Sequence, residues 1–286
     1  DSLRLVQNTN SAGQSAAELI ANEKCSAAPD DTAAPTTLTS LSYSDTTWSL
    51  LFNCNTIFSS TELRQALAGI ARENADVPSS GLYAAAKGLV PEGLTVDGLD
   101  YRETAGDPLP TIPEPKALYL AARQGMATSD FSGVTLLLPK NAGLGELADQ
   151  INSAWQKECS LFFSVEEVEQ DEFDARIAAG KYTIALAPIR AEGGSVYQML
   201  QQFTTAGGSL TGYADTVYAD RLALSAQQTG KDRCALLAQC ERQLLESCTV
   251  VPLMAQQKRL LLANGVRDLV FDPFFPVLDL TWAKMS

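Results

Sequence analysis

Residues 48–72, WSLLFNCNTIFSSTELRQALAGIAR, constrain this chain more than any other stretch. Trp48 to Asn53 is a short apolar run that reads as a buried strand. Cys54 to Phe58 is the turn. Ser59 precedes Glu62 by three residues, the spacing of a capping box. There the serine oxygen accepts from first-turn amides and the glutamate reaches back. Leu63, Ala66, Leu67 and Ile70 then fall at i, i+3, i+4 and i+7, so one helix face is apolar. The implied unit is a strand, a tight connection and an amphipathic helix packed on a sheet. Many α/β domains contain it, and by itself it carries no function.

Composition narrows the classes. With 286 residues, 45% of them hydrophobic, the chain can bury a large core in one or two domains. The net charge of −13 argues against a nucleic-acid backbone or an anionic membrane as partner. There is no histidine, which removes Ser–His and Cys–His nucleophilic pairs and histidine metal sites. No apolar run approaches the roughly 18–20 residues that span a bilayer. No signal peptide is recognisable, and Asp1 reads as a trimmed or engineered start. Six cysteines, Cys25, Cys54, Cys159, Cys234, Cys240 and Cys248, show no C-x-x-C spacing. They permit up to three disulfides or a set of buried thiols, although Cys234 and Cys240 face different sides of one predicted helix.

Along the chain, Asp1 to Gln7 reads as a strand, Ser15 to Asn22 as a short helix and Cys25 to Thr37 as a loop rich in Ala, Pro, Asp and Thr. Asp76 to Asp107 lacks long periodic runs, and Leu109 to Pro115 is extended by its prolines. Pro115 opens a helix to Gln124 with Ala117, Leu118, Leu120 and Ala121 apolar. A β-α-β-α-β series follows: strand Val134–Pro139, helix Gly143–Trp155, strand Cys159–Val165, helix Glu169–Ala179, strand Tyr182–Pro188. That order predicts a partly parallel sheet with helices packed on it. Val196–Phe203 and Lys231–Ser247 are helical, the latter with Leu236, Leu237, Cys240, Leu244 and Leu245 inward. The tail holds a Leu-rich strand and an Asn264-Gly265 turn. The carboxylates from Glu166 to Asp174 lack calcium-loop spacing and read as a solvated helix start.

Phe52-Asn53, Phe58 and Leu63-Arg64-Gln65-Ala66-Leu67 resemble the start of the second lobe in extracytoplasmic solute-binding proteins of the peptide/oligopeptide/nickel class, family 5 of the ABC importer binding proteins. The resemblance continues in order through the Pro91-Glu92-Gly93 turn, Ala154-Trp155-Gln156 and Gly180-Lys181-Tyr182. It runs on through Gly212-Tyr213-Ala214-Asp215 with Asp220-Arg221-Leu222, to Val250-Val251-Pro252-Leu253. Asn22-Glu23-Lys24-Cys25 departs from the family pattern. Complete members are roughly twice this length, as two lobes require. The resemblance therefore implies an α/β fold, a mixed sheet flanked by helices, as the second lobe of a type-II-like periplasmic binding protein fold. It implies that residues 46–258 are lobe two, that 1–45 belong to lobe one and the crossover, and that 259–286 return to lobe one. The expected function is solute capture for an ABC importer of peptides or a related small solute. That implies an ABC permease as partner, a monomer, an extracytoplasmic or lipoprotein setting, no catalysis, and no cofactor or metal.

In the family's peptide binders, the strand ending here at Ala187-Pro188 leads into a Trp-x-x-Asp-Tyr-x-Asp-Pro loop whose aspartate meets the peptide ammonium. This chain reads Ile189-Arg190-Ala191-Glu192-Gly193-Gly194-Ser195-Val196-Tyr197, without that aspartate or tryptophan. The resemblance then makes Glu192 the shifted carboxylate, while Arg190 suits an anionic group on the ligand. Tyr197, Tyr213 and Asn53 complete the ligand-binding candidates. Each has a plainer reading: a solvated loop pair for Arg190 and Glu192, packing for Tyr197, a turn anchor for Tyr213 and Asn53. Arg64 reads as packing its stem or pairing with an acid, and Trp155 as core. Two other functions stand beside importer binding: a degenerate binding or sensor module without a free-peptide ligand, and a carboxylate-dependent hydrolase.

Overall fold

The computed structural model describes residues 14–30, 36–78, 81–140, 142–205, 208–272, 277–279 and 284–285. The elements are α1 (Ala16–Ala21), β1 (Ala27–Asp30), β2 (Thr39–Phe52), α2 (Thr61–Asn74), β3 (Tyr83–Ala85), β4 (Thr95–Val96), β5 (Leu99–Asp100), α3 (Tyr101–Ala105), α4 (Pro115–Ala122), β6 (Thr135–Pro139), α5 (Gly145–Cys159), β7 (Ser164–Val168), α6 (Gln170–Ala178), β8 (Ile184–Arg190), α7 (Val196–Gln201), α8 (Thr216–Ser225), α9 (Gly230–Glu246) and β9 (Val250–Leu262). After β9 come two short ladders, β10 (Val266–Arg267) with β13 (Lys284–Met285) and β11 (Val270–Asp272) with β12 (Val277–Asp279). The strand expected over Asp1–Gln7 lies outside the described residues.

The main sheet runs β1-β9-β2-β8-β6-β7, with β3 also on β9. β6 pairs parallel with β7 and with β8, while β2 and β9 are antiparallel to their neighbours. The sheet is therefore mixed and flanked by helices on both faces, as expected. Its residues alternate between two cores. Leu50, Phe52, Leu136, Leu138, Ile184 and Leu186 join α2 and α5 on one face. Leu51, Leu137, Ala185, Ala187 and Ile189 join α7 and α9 on the other. A strand covered on both sides reads as a near-continuous apolar run, which is why these strands were legible.

Local chemistry explains the central helix. Leu63, Ala66 and Leu67 are fully buried and Ile70 nearly so, each large side chain contributing about 1.5–3 kcal/mol. Gly69 lets α4 close on α2, since a Cβ there would lie 2.8 Å from the Pro115 Cβ. Trp155 is fully buried, donates to the Leu67 carbonyl at 2.9 Å and meets Phe163 edge-on at 5.4 Å.

Several expectations are corrected. The cap of α2 is Ser60, whose Oγ accepts from the Leu63 amide at 3.2 Å; Ser59 belongs to the preceding 3₁₀ turn. Glu62 bonds the Ser60 hydroxyl at 3.0 Å. Its own backbone amide, then that hydroxyl, hold its carboxyl below the usual range. The loop expected over Cys25–Thr37 contains β1, because the edge of β9 at Arg259–Leu262 offers it a ladder. Pro29 fits there because an edge strand can spare a donor. The expected strand Cys159–Val165 starts only at Ser164. α5 continues to Cys159, and Ser160, at φ 55°, ends it. Buried Asn152 then ties the extended chain through both the amide and carbonyl of Phe163, leaving Phe162 64% exposed. On α4, Tyr119 is buried and Leu120 is 58% exposed, the reverse of the expected face.

Candidate functional site

The parallel strands β6 and β7 end level at Pro139 and Val168, and β8 runs on past them to Arg190. The chain passes from β6 to β7 through α5 on the first core face. It then returns through α6, whose Phe173 lies in the second core, to β8 on the far side of β6. The connections leaving β6 and β8 thus start toward opposite faces. In open α/β sheets ligands bind at such a switch point, outside the carboxyl ends of the strands.

The loop after β8 sits on this edge. Arg190 pairs with Thr46 across the ladder, and the Ala191 amide donates to the Asp45 carbonyl at 2.8 Å. Gly193 and Gly194, at φ 58° and 67°, form a turn that other residues adopt only under strain. Ser195 then caps α7 by accepting from the Gln198 amide at 3.2 Å. Neighbouring charges are paired: Lys140 with Glu169 at 2.8 Å, and Lys258 with Asp45 at 2.7 Å. Arg190 and Glu192 are exposed, and neither side chain forms an ion pair with another described residue. Tyr197 is half-buried on α7, packed against the second core.

Asn53 and Tyr213 lie elsewhere. The β2–β8 ladder runs from Thr46↔Arg190 to Phe52↔Ile184, which places Asn53, one residue further on, about 24 Å from Arg190 at 3.4 Å per residue. Its amide nitrogen donates to the carbonyls of Gly180 at 2.9 Å and Tyr182 at 2.8 Å, and its Oδ1 accepts from the Asn55 amide at 3.0 Å. Tyr213 donates to Asp215 at 3.0 Å, and burial, then that carboxylate, push its phenol up. Arg64 is buried nearby, its guanidinium held by the carbonyls of Phe58, Ser59 and Ser247. The candidates therefore form two groups at opposite ends of the sheet: Arg190, Glu192 and Tyr197 at one, Asn53 and Tyr213 at the other.

Two features escaped the sequence reading. Between Tyr43↔Lys258 and Thr46↔Gln256, Ser44 and Asp45 together oppose Gln257 alone. This β-bulge lies beside the Arg190 loop and borders a cavity of about 340 Å³ over β2, β9 and β3. Bulges re-aim side chains and favour such positions, but nothing in local sequence marks this one. The second feature is Glu241, fully buried on α9. It accepts from the Val90 amide at 2.9 Å, the Tyr101 hydroxyl at 2.9 Å and Arg102 at 2.5 Å. That network fixes the 88–105 excursion on the helix, and Val90 and its neighbours wall the cavity. A lone carboxylate between Leu237 and Leu244 was the available signal.

The acidic run is partly neutralised in the fold, Arg176 bridging Glu166 at 2.8 Å and Glu172 at 2.6 Å. Among the described residues, no group of three or more His, Cys, Asp or Glu is placed to hold a metal. The six cysteines are free thiols. No described helix is long and apolar enough to cross a membrane.

No protein-family model matches the chain, and no curated relative matches it in sequence. Solved structures do match in shape. Listeria monocytogenes OppA bound to peptide superposes with a TM-score of 0.70 at 17% identity, over 94% of this chain and 55% of that one. The fold is that of the periplasmic binding proteins. The pheromone receptor PrgZ, solved for its mode of peptide binding, gives 0.72 at 16% identity, over 94% and 55%. The substrate-binding domain of an oligopeptide ABC transporter from Bacillus anthracis gives 0.71 at 17% identity, over 94% and 56%. The chain spans about half the length of these structures.

Proposed function

We propose that this chain forms the second lobe of a solute-binding protein that captures peptides, or a related small zwitterionic solute, for an ABC importer. The observation that carries the reading is the exposed pair Arg190 and Glu192 on a Gly-Gly turn at the carboxyl edge, neither in an ion pair with another described residue. An exposed carboxylate and guanidinium side by side suit a ligand bearing both an ammonium and a carboxylate. The structural neighbours described as peptide-bound or peptide-binding support that choice. Residues 46–258 make lobe two, with 1–45 and 259–286 serving lobe one. This is supported by β2 and β9, which continue past the bulge as a ribbon to Thr39 and Leu262. Closure of a partner lobe over the Arg190 edge sequesters the solute, in the manner of hinge-closing binding proteins. Delivery is to a membrane permease, and the protein acts outside the cytoplasm as a monomer without chemistry of its own.

The test is a thermal-shift screen of the two-lobed protein against di- to pentapeptides. Ligand at about 100-fold over Kd stabilises the native state by about 2.7 kcal/mol. A shift that is lost with amino-terminal acetylation and with Glu192→Gln supports the assignment. Loss with carboxyl-terminal amidation and with Arg190→Gln assigns the other end. No shift with any peptide sinks the importer reading and favours a binding module that has lost its free-peptide ligand.

A further inference from the structure

Helix α4, packed on α2 and α5, is apolar on both sides. Tyr119 is buried in the first core with Leu118 and Ala122 beside it, while Ala117, Leu120 and Ala121 face outward, Leu120 at 58% exposure. A helix that is apolar all round is normally covered, yet nothing among the described residues covers this side. Pro115, Ala117 and Leu120 floor an open groove there of about 390 Å³. Its rim is acidic: Glu73 from the last turn of α2, Glu114 at the start of α4 and Glu158 near the end of α5. Lys116 is the one cation lining it among the described residues, and Glu158 takes it at 3.1 Å. The side chains of Glu73 and Glu114 are exposed and form no ion pair with another described residue. Glu114 holds φ 47°, a left-handed backbone that strains a residue with a side chain. Its carboxylate makes no bond to the helix it precedes and is left for the rim.

We propose that this groove docks a short segment of a protein partner that carries aliphatic side chains between lysines or arginines. The apolar floor takes the aliphatic anchors. Glu73 and Glu114 meet cations that this chain does not supply to them, and charge complementarity fixes the sign of the partner. A second copy of the chain does not fit, since a two-fold contact sets the same acids against one another. The rim repels an anionic membrane or a nucleic-acid backbone. A groove of this size takes one or two anchors, so the complex belongs with small, transient interfaces. Arg190, Glu192 and the β2 bulge do not line the groove, so the inference stands apart from the solute-binding reading.

The experiment titrates the 286-residue chain, isotopically labelled, with a short amphipathic peptide, acetylated and amidated, whose leucines share one helix face between lysines. Blocked ends keep the peptide off Arg190 and Glu192. Amide shifts centred on Glu73, Ala117, Leu120 and Glu158 are expected, with an affinity that falls several-fold as salt rises from about 0.05 to about 0.5 M. Leu120→Ser should weaken binding about tenfold, the loss of one aliphatic contact. Glu73→Gln and Glu114→Gln should each weaken it about two- to fivefold, the worth of an exposed ion pair. Asp220→Asn, on α8 across the sheet, should leave it unchanged. All four side chains are exposed, so the variants should keep the parent melting temperature. Equal binding of a peptide with serines in place of the leucines, or of spermine at the same residues, reduces the groove to an acidic surface and overturns the proposal. Absence of shifts at these residues at saturation, or an indifferent Leu120→Ser variant, does the same. So does a dimer in sedimentation that Leu120→Ser dissociates, which gives the groove to a second copy. Because the blocked peptide bypasses the Arg190 loop, failure here leaves the solute-binding reading standing, and failure of that reading leaves the groove.

Discussion

At the scale of single residues, Asn53 shows how a candidate binding side chain becomes a structural one. Two of its bonds join the end of β2 to the approach to β8, and a third holds its own turn at Asn55. Asn53→Ala leaves the buried carbonyl of Tyr182 without that donor, while the exposed Gly180 can turn to water, and should cost about 1–2 kcal/mol in urea unfolding. Peptide affinity should not change; a selective loss of affinity with stability intact would return Asn53 to the ligand set. The thiols give a second prediction. Burial pushes Cys159, Cys240 and Cys248 up from 9.0 to about 12. In the unfolded chain they ionise near their ordinary value, so above it the native state holds more protons than the unfolded one. Stability should therefore be unaffected by these groups below about pH 9 and fall as pH rises from about 9 to about 12. Urea midpoints measured across that window check the sign, and a flat profile contradicts it.

At the scale of elements, α2 is set by its cap and its apolar stripe. The stripe was read correctly because 3.6-residue periodicity is local. The cap was displaced by one residue because Ser59 and Ser60 are adjacent serines, and only the 3₁₀ turn before the helix selects between them. Ser60→Ala should lower stability by about 1 kcal/mol, whereas Ser59→Ala should stay within about 0.5 kcal/mol. Thermal melts of the two variants decide it, and the opposite ranking restores Ser59. The misread face of α4 has a related cause. Its residues are apolar on several sides, and the direction of α2 and α5 determines which of them, Tyr119 or Leu120, goes inward.

At the scale of the whole molecule, β2 and β9 tie together both cores and the edge that carries Arg190. Their inner halves are buried on both faces, while Thr39–Tyr43 is exposed or half-buried. Amide exchange should follow that gradient. Leu50, Leu51 and Val251 should exchange only through global opening, and the amides of Thr39 to Leu41 much sooner. Uniform protection along β2 would refute the gradient. Such an arrangement joins a well-buried sheet centre to a more exposed end of β2 at the bulge.

The sequence by itself determined helices α1, α2, α4 to α7 and α9, strands β6 and β8, the inner half of β2, the β-α-β-α-β order and the core role of Trp155. Apolar spacing and turn chemistry are written over ten to twenty neighbouring residues. It also pointed to the loop around Arg190 and Glu192, through their departure from a resembled pattern. Only the tertiary structure decided that β1 is a strand, that Glu241 is buried in a polar network, and that Asn53 lies at the other end of the sheet from Arg190. It alone revealed the bulge at Ser44 and Asp45 in β2. Each depends on ladder register or on a partner far away in the chain: 229 positions separate Asp30 from Arg259, and 139 separate Arg102 from Glu241. A side chain's surroundings are then fixed by which strands and helices meet, and local sequence carries no record of that meeting.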